Sequence, residues 1–445
     1  MKRALGFWPL VATIYFCVSG GPYGLEEVVQ SGAGMAILLV VLFPLIWALP
    51  ASLMTAELSS AIPVEGGYYV WVRRAMGPFW GFLCGWWTWV YTWVDTAMYP
   101  VLFATYVQTL MHLLGYDVDL GPWPRWLVGM GIVVPLTILN ITGIKRVGNA
   151  ALGFFPVLLA PFVLMVLFGL PKVFAHPGDI LHPFVPPDKS VREAFGLGLF
   201  VIMWNYLGWD SISTVAAEIE DPQRSLPRAL GIGVPLVTLS YLLPIVVGVV
   251  VLRDPAAWKE GSWTDVAKLV GGPWLAVATA ACGLIAAAGL FSSTLLAGSR
   301  IPFAVAEDRL LPAACHRLHP KYGTPWVAIL VSAVFYSIFS FGSFKDLAEV
   351  DVIVYSSALL LEFAALLILR AKEPELKRPY RIPGGWFGVS IVAILPTIVL
   401  SGAVYDQFTG ENAGAAHTRL VLTFTAAALA TGPLVWFARR FWQRK

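Results

Sequence analysis

Charge is scarce in this 445-residue chain. Asp, Glu, Lys and Arg make up 13% of it, about half of the ~25% usual in a soluble domain. A wholly water-solvated fold is excluded. The net charge of +3 is too small to single out a partner of either sign, and no nucleic acid is expected. Cysteine is scarce too. Cys17, Cys84, Cys282 and Cys315 form no CxxC and no Cys/His cluster, so they read as small core residues, with no disulfide framework, metal or other cofactor expected. The six histidines make no HExxH pair, and GxSxG is missing; with no such chemistry, a membrane-embedded enzyme is not expected. A cleavable leader is not expected either. The first apolar run is broken by Gly20-Gly21-Pro22-Tyr23-Gly24 and has no small-residue cleavage site.

What the chain does have is apolar length. Hydrophobic residues make up 58%, with 19 Trp and 26 Phe, and the mean hydropathy is +0.73. Aromatic side chains of this abundance suit lipid interfaces and packed spans. A membrane span needs about 20 apolar residues. Twelve stretches qualify: 7–30, 34–60, 78–114, 126–141, 150–170, 194–217, 229–252, 273–304, 325–341, 347–369, 387–405 and 420–437. No soluble domain fits between them, so residues 1–445 form one integral membrane domain. With the N-terminus placed inside, 21 of the 30 Lys and Arg fall on the inner side. That bias obeys the positive-inside rule, so both termini are expected in the cytoplasm and the protein in the plasma or inner membrane.

Every Lys and Arg falls in a loop or at a span end, whereas acidic residues enter the spans. They are Glu26 and Glu27 in the first, Glu57 in the second, Asp95 in the third, Asp210 in the sixth, and Asp351 and Glu362 in the tenth. Intramembrane carboxylates are costly and mark function. Without buried basic partners they require protonation or a cation from outside the protein: a proton, a metal ion or an amine. Glu57 reads as structural, near the inner end of its span, and Asp351 as close enough to the outer membrane edge to be wet.

Two spans carry breaks. In the first, Pro22 lacks an N–H and Gly20, Gly21 and Gly24 tolerate unwound backbone. In the sixth, Trp204-Asn205-Tyr206-Leu207-Gly208-Trp209-Asp210 places Asn, Gly and Asp in mid-span. One such feature alone reads as a proline kink. Two, in corresponding spans of a five-plus-five arrangement and each beside carboxylates, point to a midplane substrate site.

Three stretches resemble the amino acid–polyamine–organocation superfamily, most closely the polyamine–proton symporters of plants and protozoa and their bacterial relatives. They are Gly21-Pro22-Tyr23-Gly24-Leu25-Glu26-Glu27; Trp204 to Ser211 running on to Glu218-Ile219-Glu220-Asp221-Pro222; and Leu361-Glu362-Phe363 followed by Glu373-Pro374-Glu375-Leu376-Lys377-Arg378-Pro379-Tyr380-Arg381-Ile382-Pro383. The resemblance implies an all-α LeuT-type fold with about twelve transmembrane helices and discontinuous first and sixth helices. Its inverted repeats would span 7–170 and 194–369, with 387–437 as two added spans.

The substrate follows from the chemistry at the breaks. Superfamily amino-acid carriers hold the substrate carboxylate on free N–H groups after the first break. Here Pro22 removes a donor, and Glu26 and Glu27 would repel an anion. Asp95 and Asp210 add negative potential, and Tyr23, Tyr91, Trp93, Trp204, Tyr206 and Trp209 offer faces for cations. An importer of a polyamine such as putrescine or spermidine fits better than an amino-acid permease or exchanger, the alternative. Gly21, Gly24 and Asn205 complete the expected site. Glu26 and Glu27 have a second reading, as stabilisers of a half-helix N-terminus. The resemblance favours proton symport, with Asp95, Asp210 or a span-one Glu as carrier. Glu362 reads as a proton site or a structural hydrogen bonder. Ser293 and Thr294 either bind sodium, as adjacent hydroxyls do in sodium-coupled relatives, or bond the preceding turn. The oligomeric state is not legible.

Overall fold

A computed structural model describes residues 3–341, 344–409 and 416–439. The chain enters with α1 (Phe7–Val18), which stops where Gly20, Gly21 and Pro22 cannot continue a helix. After the break only a short 3₁₀ segment, Glu26–Ser31, resumes the pass. The second pass is α2 (Ala33–Ala61), with a π-helical turn at Pro44–Ala48. Then come α3 (Gly67–Met76), α4 (Pro78–Leu113), α5 (Pro122–Ile141) and α6 (Ile144–Ala175). The sixth pass repeats the pattern of the first. α7 (Val191–Asn205) is started by a capping box between Ser190 and Glu193. It breaks at residues 206–210 and resumes as 3₁₀ turns at Ser211–Thr214 and Ala216–Glu218. The rest comprises α8 (Pro222–Val251), α9 (Ser262–Gly271), α10 (Pro273–Glu307), α11 (Trp326–Phe339), α12 (Phe344–Lys372), α13 (Gly385–Thr409) and α14 (Ala416–Ala438).

Eight of these helices are long and apolar enough to cross a membrane. α1, the interrupted α7 and α11 fall short in length. α4 is long enough at 36 residues, but its Trp- and Tyr-rich sequence scores low on a hydropathy scale. α3 has no counterpart among the twelve expected spans. It is a ten-residue amphipathic piece whose Tyr68, Tyr69, Trp71 and Val72 are buried while Arg74 is exposed.

α4 and α10 form the centre. α4 packs on α10, α12, α3 and α5, and α10 on α6, while α2 and α6 lie against α8. α1 packs on α6, α8 and α10, so both broken passes lie inside the bundle. Burial there is needed, because unwound backbone in lipid would leave polar groups unsatisfied.

Residues 4–6, 62–66 and 219–221 gather at one face, here the proximal face; the segment 253–272 lies at the other, the distal face. At the proximal face two carboxylates meet basic partners, and for Glu57 this corrects the expectation that the carboxylates within the spans have none. Glu57 is fully buried, receives Arg370 Nε at 2.8 Å and the Ile382 N–H at 2.8 Å, and has Arg378 at 3.4 Å. Glu218 receives Arg300 Nε at 2.9 Å, with both side chains buried. These pairings join positions hundreds or tens of residues apart, which helix periodicity cannot reveal.

Candidate functional site

The two breaks face each other. Asn205, the last residue of α7, donates its side-chain N–H to Gly24 O at 3.1 Å, and its own carbonyl accepts from Tyr241 Oη at 2.9 Å. Gly208 makes the approach possible. It sits at φ +87°, and a Cβ there would lie 2.3 Å from the Cys17 carbonyl oxygen. Gly208→Ala should therefore lower stability by roughly 1–3 kcal/mol. Gly153, with nothing within 4 Å of its would-be Cβ, is the control: Gly153→Ala should be neutral or stabilising. Thermal unfolding of the two variants checks this, and an equal midpoint for both would sink the claim.

Between the breaks lies a small cavity. The first pass contributes Cys17, Val18, Gly20 and Tyr23; α7 and its break contribute Trp204, Asn205, Leu207 and Gly208. α4 adds Tyr91, Asp95 and Tyr99, spaced four apart and so stacked on one helix face, and α10 adds Leu290. Asp95 is the carboxylate on this wall. Tyr99 Oη lies 2.8 and 2.9 Å from its two oxygens, and Trp204 is within hydrogen-bonding reach.

Tyr23, Tyr91, Asp95, Trp204 and Asn205 thus come together from the residues the sequence singled out. The others sit elsewhere. Gly21 and Gly24 shape the first break at φ +75° and +89°. Tyr206 turns away to Val40 O at 3.1 Å and to the Tyr241 ring. Trp209 is buried against Gly233, and Trp93 stacks on Phe335 at 3.9 Å. Glu27 is partly exposed. Thr294 bonds the preceding turn at Leu290 O, 2.8 Å, whereas Ser293 Oγ is buried without a hydrogen-bond partner. Val18, Tyr99 and Leu290 went unnoticed in the sequence, which read Cys17 only as a core residue and Gly20, Leu207 and Gly208 only as parts of the breaks. Of these, Tyr99 carried a signal, one helical turn after Asp95.

Glu26 lies above the cavity, in its distal seal. One oxygen accepts the Gly24 N–H at 2.7 Å; the other meets Tyr106 Oη and the Gly261 N–H, each at 3.3 Å. Trp263 Nε1 donates to Pro22 O at 2.8 Å and Gln30 Nε2 to Trp258 O at 2.6 Å. Burial pushes the nearby loop carboxyl of Glu260 up, with Arg125 opposing the shift. On the proximal side, the Ala4 and Leu5 N–H groups donate to Glu218 O at 2.9 and 3.2 Å, and the Glu220 N–H to Leu5 O at 3.0 Å. Gly66 N–H reaches Thr214 O at 3.0 Å. These contacts lie across the distal and proximal approaches to the cavity.

Asp210 lies beside the cavity, not on its wall. It is buried, and one oxygen accepts a hydrogen bond from Tyr355, whose Oη also receives the Gly208 N–H at 3.1 Å. Glu362 is within hydrogen-bonding reach of Asp210 and is fully buried. Asp351, expected near a wet edge, is fully buried instead.

A model of the amino acid permease family matches residues 5–425. The polyamine transporter RMV1 of Arabidopsis thaliana is 37% identical over 396 residues, covering 88% of this chain and 78% of that protein. The polyamine transporter PUT1 of Oryza sativa subsp. japonica is 35% identical over 445 residues, covering all of this chain and 80% of that one. Among solved structures, MhsT in complex with L-phenylalanine superposes with a TM-score of 0.66 at 14% identity, over 91% of this chain and 99% of that one. At that identity the likeness speaks for the fold: the LeuT type, with discontinuous first and sixth helices.

Proposed function

The chain belongs to the amino acid permease family, and we propose that it imports a polyamine such as putrescine or spermidine by proton symport and alternating access. One observation carries the substrate reading: the cavity wall presents Asp95 with aromatic rings around it and no basic side chain. An ammonium group fits there by charge and by the Tyr and Trp faces. The first break offers an anion little. Pro22 has no N–H, the Gly21 N–H is held by Ser19 Oγ at 3.0 Å, and the Gly24 N–H by Glu26 at 2.7 Å. The names of RMV1 and PUT1 support the same substrate class.

In this reading the protein is a permease and not an enzyme, and the proximal face is cytoplasmic in the plasma or inner membrane. The repeats 7–170 and 194–369 move against each other, with 387–437 as an addition. In that cycle the distal and proximal contacts would break in turn. Asp210, paired with Glu362 and Tyr355, carries the proton.

The test uses proteoliposomes with an inside-alkaline gradient, labelled putrescine, and amino acids as competitors. Gradient-dependent putrescine uptake that ignores amino acids is expected. Asp210→Asn should abolish accumulation against the gradient while putrescine still binds. Uptake unaffected by the gradient, or an Asp210→Asn protein that still accumulates, would remove proton coupling through this residue. Free exchange of amino acids with no putrescine uptake would return the protein to the amino-acid carriers.

A further inference from the structure

α4 and α12 run antiparallel in contact, and their facing stripes set a register. The Tyr91 and Tyr355 rings meet edge to face, with centroids 5.0 Å apart. One turn towards the distal face on each helix, that register brings Asp95 opposite Asp351. The two carboxylates interact electrostatically with no hydrogen bond between them. Asp95 is supplied by Tyr99. Asp351 is not: it is 0% exposed, and neither oxygen has a donor among the described residues. The groups that feel its charge are Asp95, Tyr91 and Tyr99, all three on the cavity wall. A buried carboxylate without donors, beside another carboxylate, is strongly unfavourable unless something supplies the missing partner. Asp351 is not itself on the cavity wall, but the groups that interact with it are.

We propose that Asp351 is a specificity-determining residue of the substrate site, supplying the carboxylate for the second ammonium group of a diamine whose first is held at Asp95. This rests on the polyamine reading above. Two carboxylates held apart by packed helices match two ammonium groups joined by a short methylene chain. A monoamine would leave one carboxylate unmatched, and a zwitterion would bring an anion against it. Asp351 thereby separates dications from monocations, a distinction Asp95 alone cannot make.

The experiment is equilibrium binding to the purified full-length protein, with putrescine and n-butylamine as probes. Wild type should prefer putrescine. Asp351→Asn should weaken putrescine at least about tenfold and leave n-butylamine within about twofold, erasing the preference. Equal weakening of both amines, or of neither, would overturn the proposal. Asp351→Glu keeps the charge and advances it by one methylene. It should shift the preferred diamine among 1,3-diaminopropane, putrescine and cadaverine; an unchanged order would also count against the assignment. Wild-type protein that binds neither probe would overturn the polyamine reading itself, and this inference with it, before any variant is compared.

Discussion

Asparagine in place of Asp95 is expected to abolish saturable putrescine uptake while leaving the protein folded. Asp95 is 7% exposed and sits on the cavity wall, with both oxygens within reach of Tyr99. In a site this buried, a carboxylate meeting an ammonium group forms a desolvated, hydrogen-bonded pair. Removing one partner of such a pair costs about 2–5 kcal/mol of binding, hence a rise in Kd of roughly 30-fold or more. Asparagine keeps the shape and can still accept from Tyr99, so the unfolding midpoint should move little. Binding and unfolding measured on the same preparation separate the two effects. Retention of wild-type putrescine affinity by a folded Asp95→Asn protein would remove Asp95 from the site.

The second large effect lies at the proximal seal. Arg300 is fully buried and donates to Glu218 at 2.9 Å, to Leu296 O at 3.1 Å and to Ser299 Oγ at 3.0 Å. Glu65 lies close by, half-buried with its carboxylate oxygens covered, and feels both charges; burial first and Glu218 second hold its carboxyl well above the usual range, with Arg300 opposing. Arg300→Leu leaves Glu218 buried without its cation, and breaking such a pair costs about 3–5 kcal/mol. Admitting water from the proximal face relieves that cost, so the variant should favour a form open on that side. Cys17, buried on the cavity wall, is a native reporter. A membrane-permeant thiol reagent should label it faster in Arg300→Leu than in wild type, with Cys17→Ala as the blank, while uptake falls at least about tenfold. The double variant Glu218→Leu/Arg300→Leu should be more stable than either single one, because no orphan charge remains. Unchanged Cys17 labelling together with unchanged uptake would show that the pair does not hold the seal.

What the sequence made legible is local. Apolar length located the spans, and the Pro and Gly of residues 20–24 and the Asn-to-Asp run of 205–210 located both breaks. What it concealed depends on partners remote in the chain. Glu57 read as lacking a basic partner because Arg370 lies 313 residues away. Glu26 read as a cavity residue by its distance from the break. The pass resumes there as a tight 3₁₀ turn, which aims its carboxylate back at Gly24 and across to Gly261. Asp351 read as wet because its neighbours come from α4, which residue spacing along α12 cannot show. α3 was hidden by its shortness: ten residues between two glycine turns give an amphipathic pattern too brief to stand out.

The proximal seal has one more property. Its contact between residues 4–5 and 218–220 is made by main-chain N–H and C=O groups, which every residue except proline can supply in full. Sequence drift at Ala4 and Leu5 can therefore leave the latch hydrogen bonds in place. A species comparison of side chains would pass over this stretch as unremarkable, and only backbone chemistry, such as an ester in place of the Leu5 amide, would expose what it does.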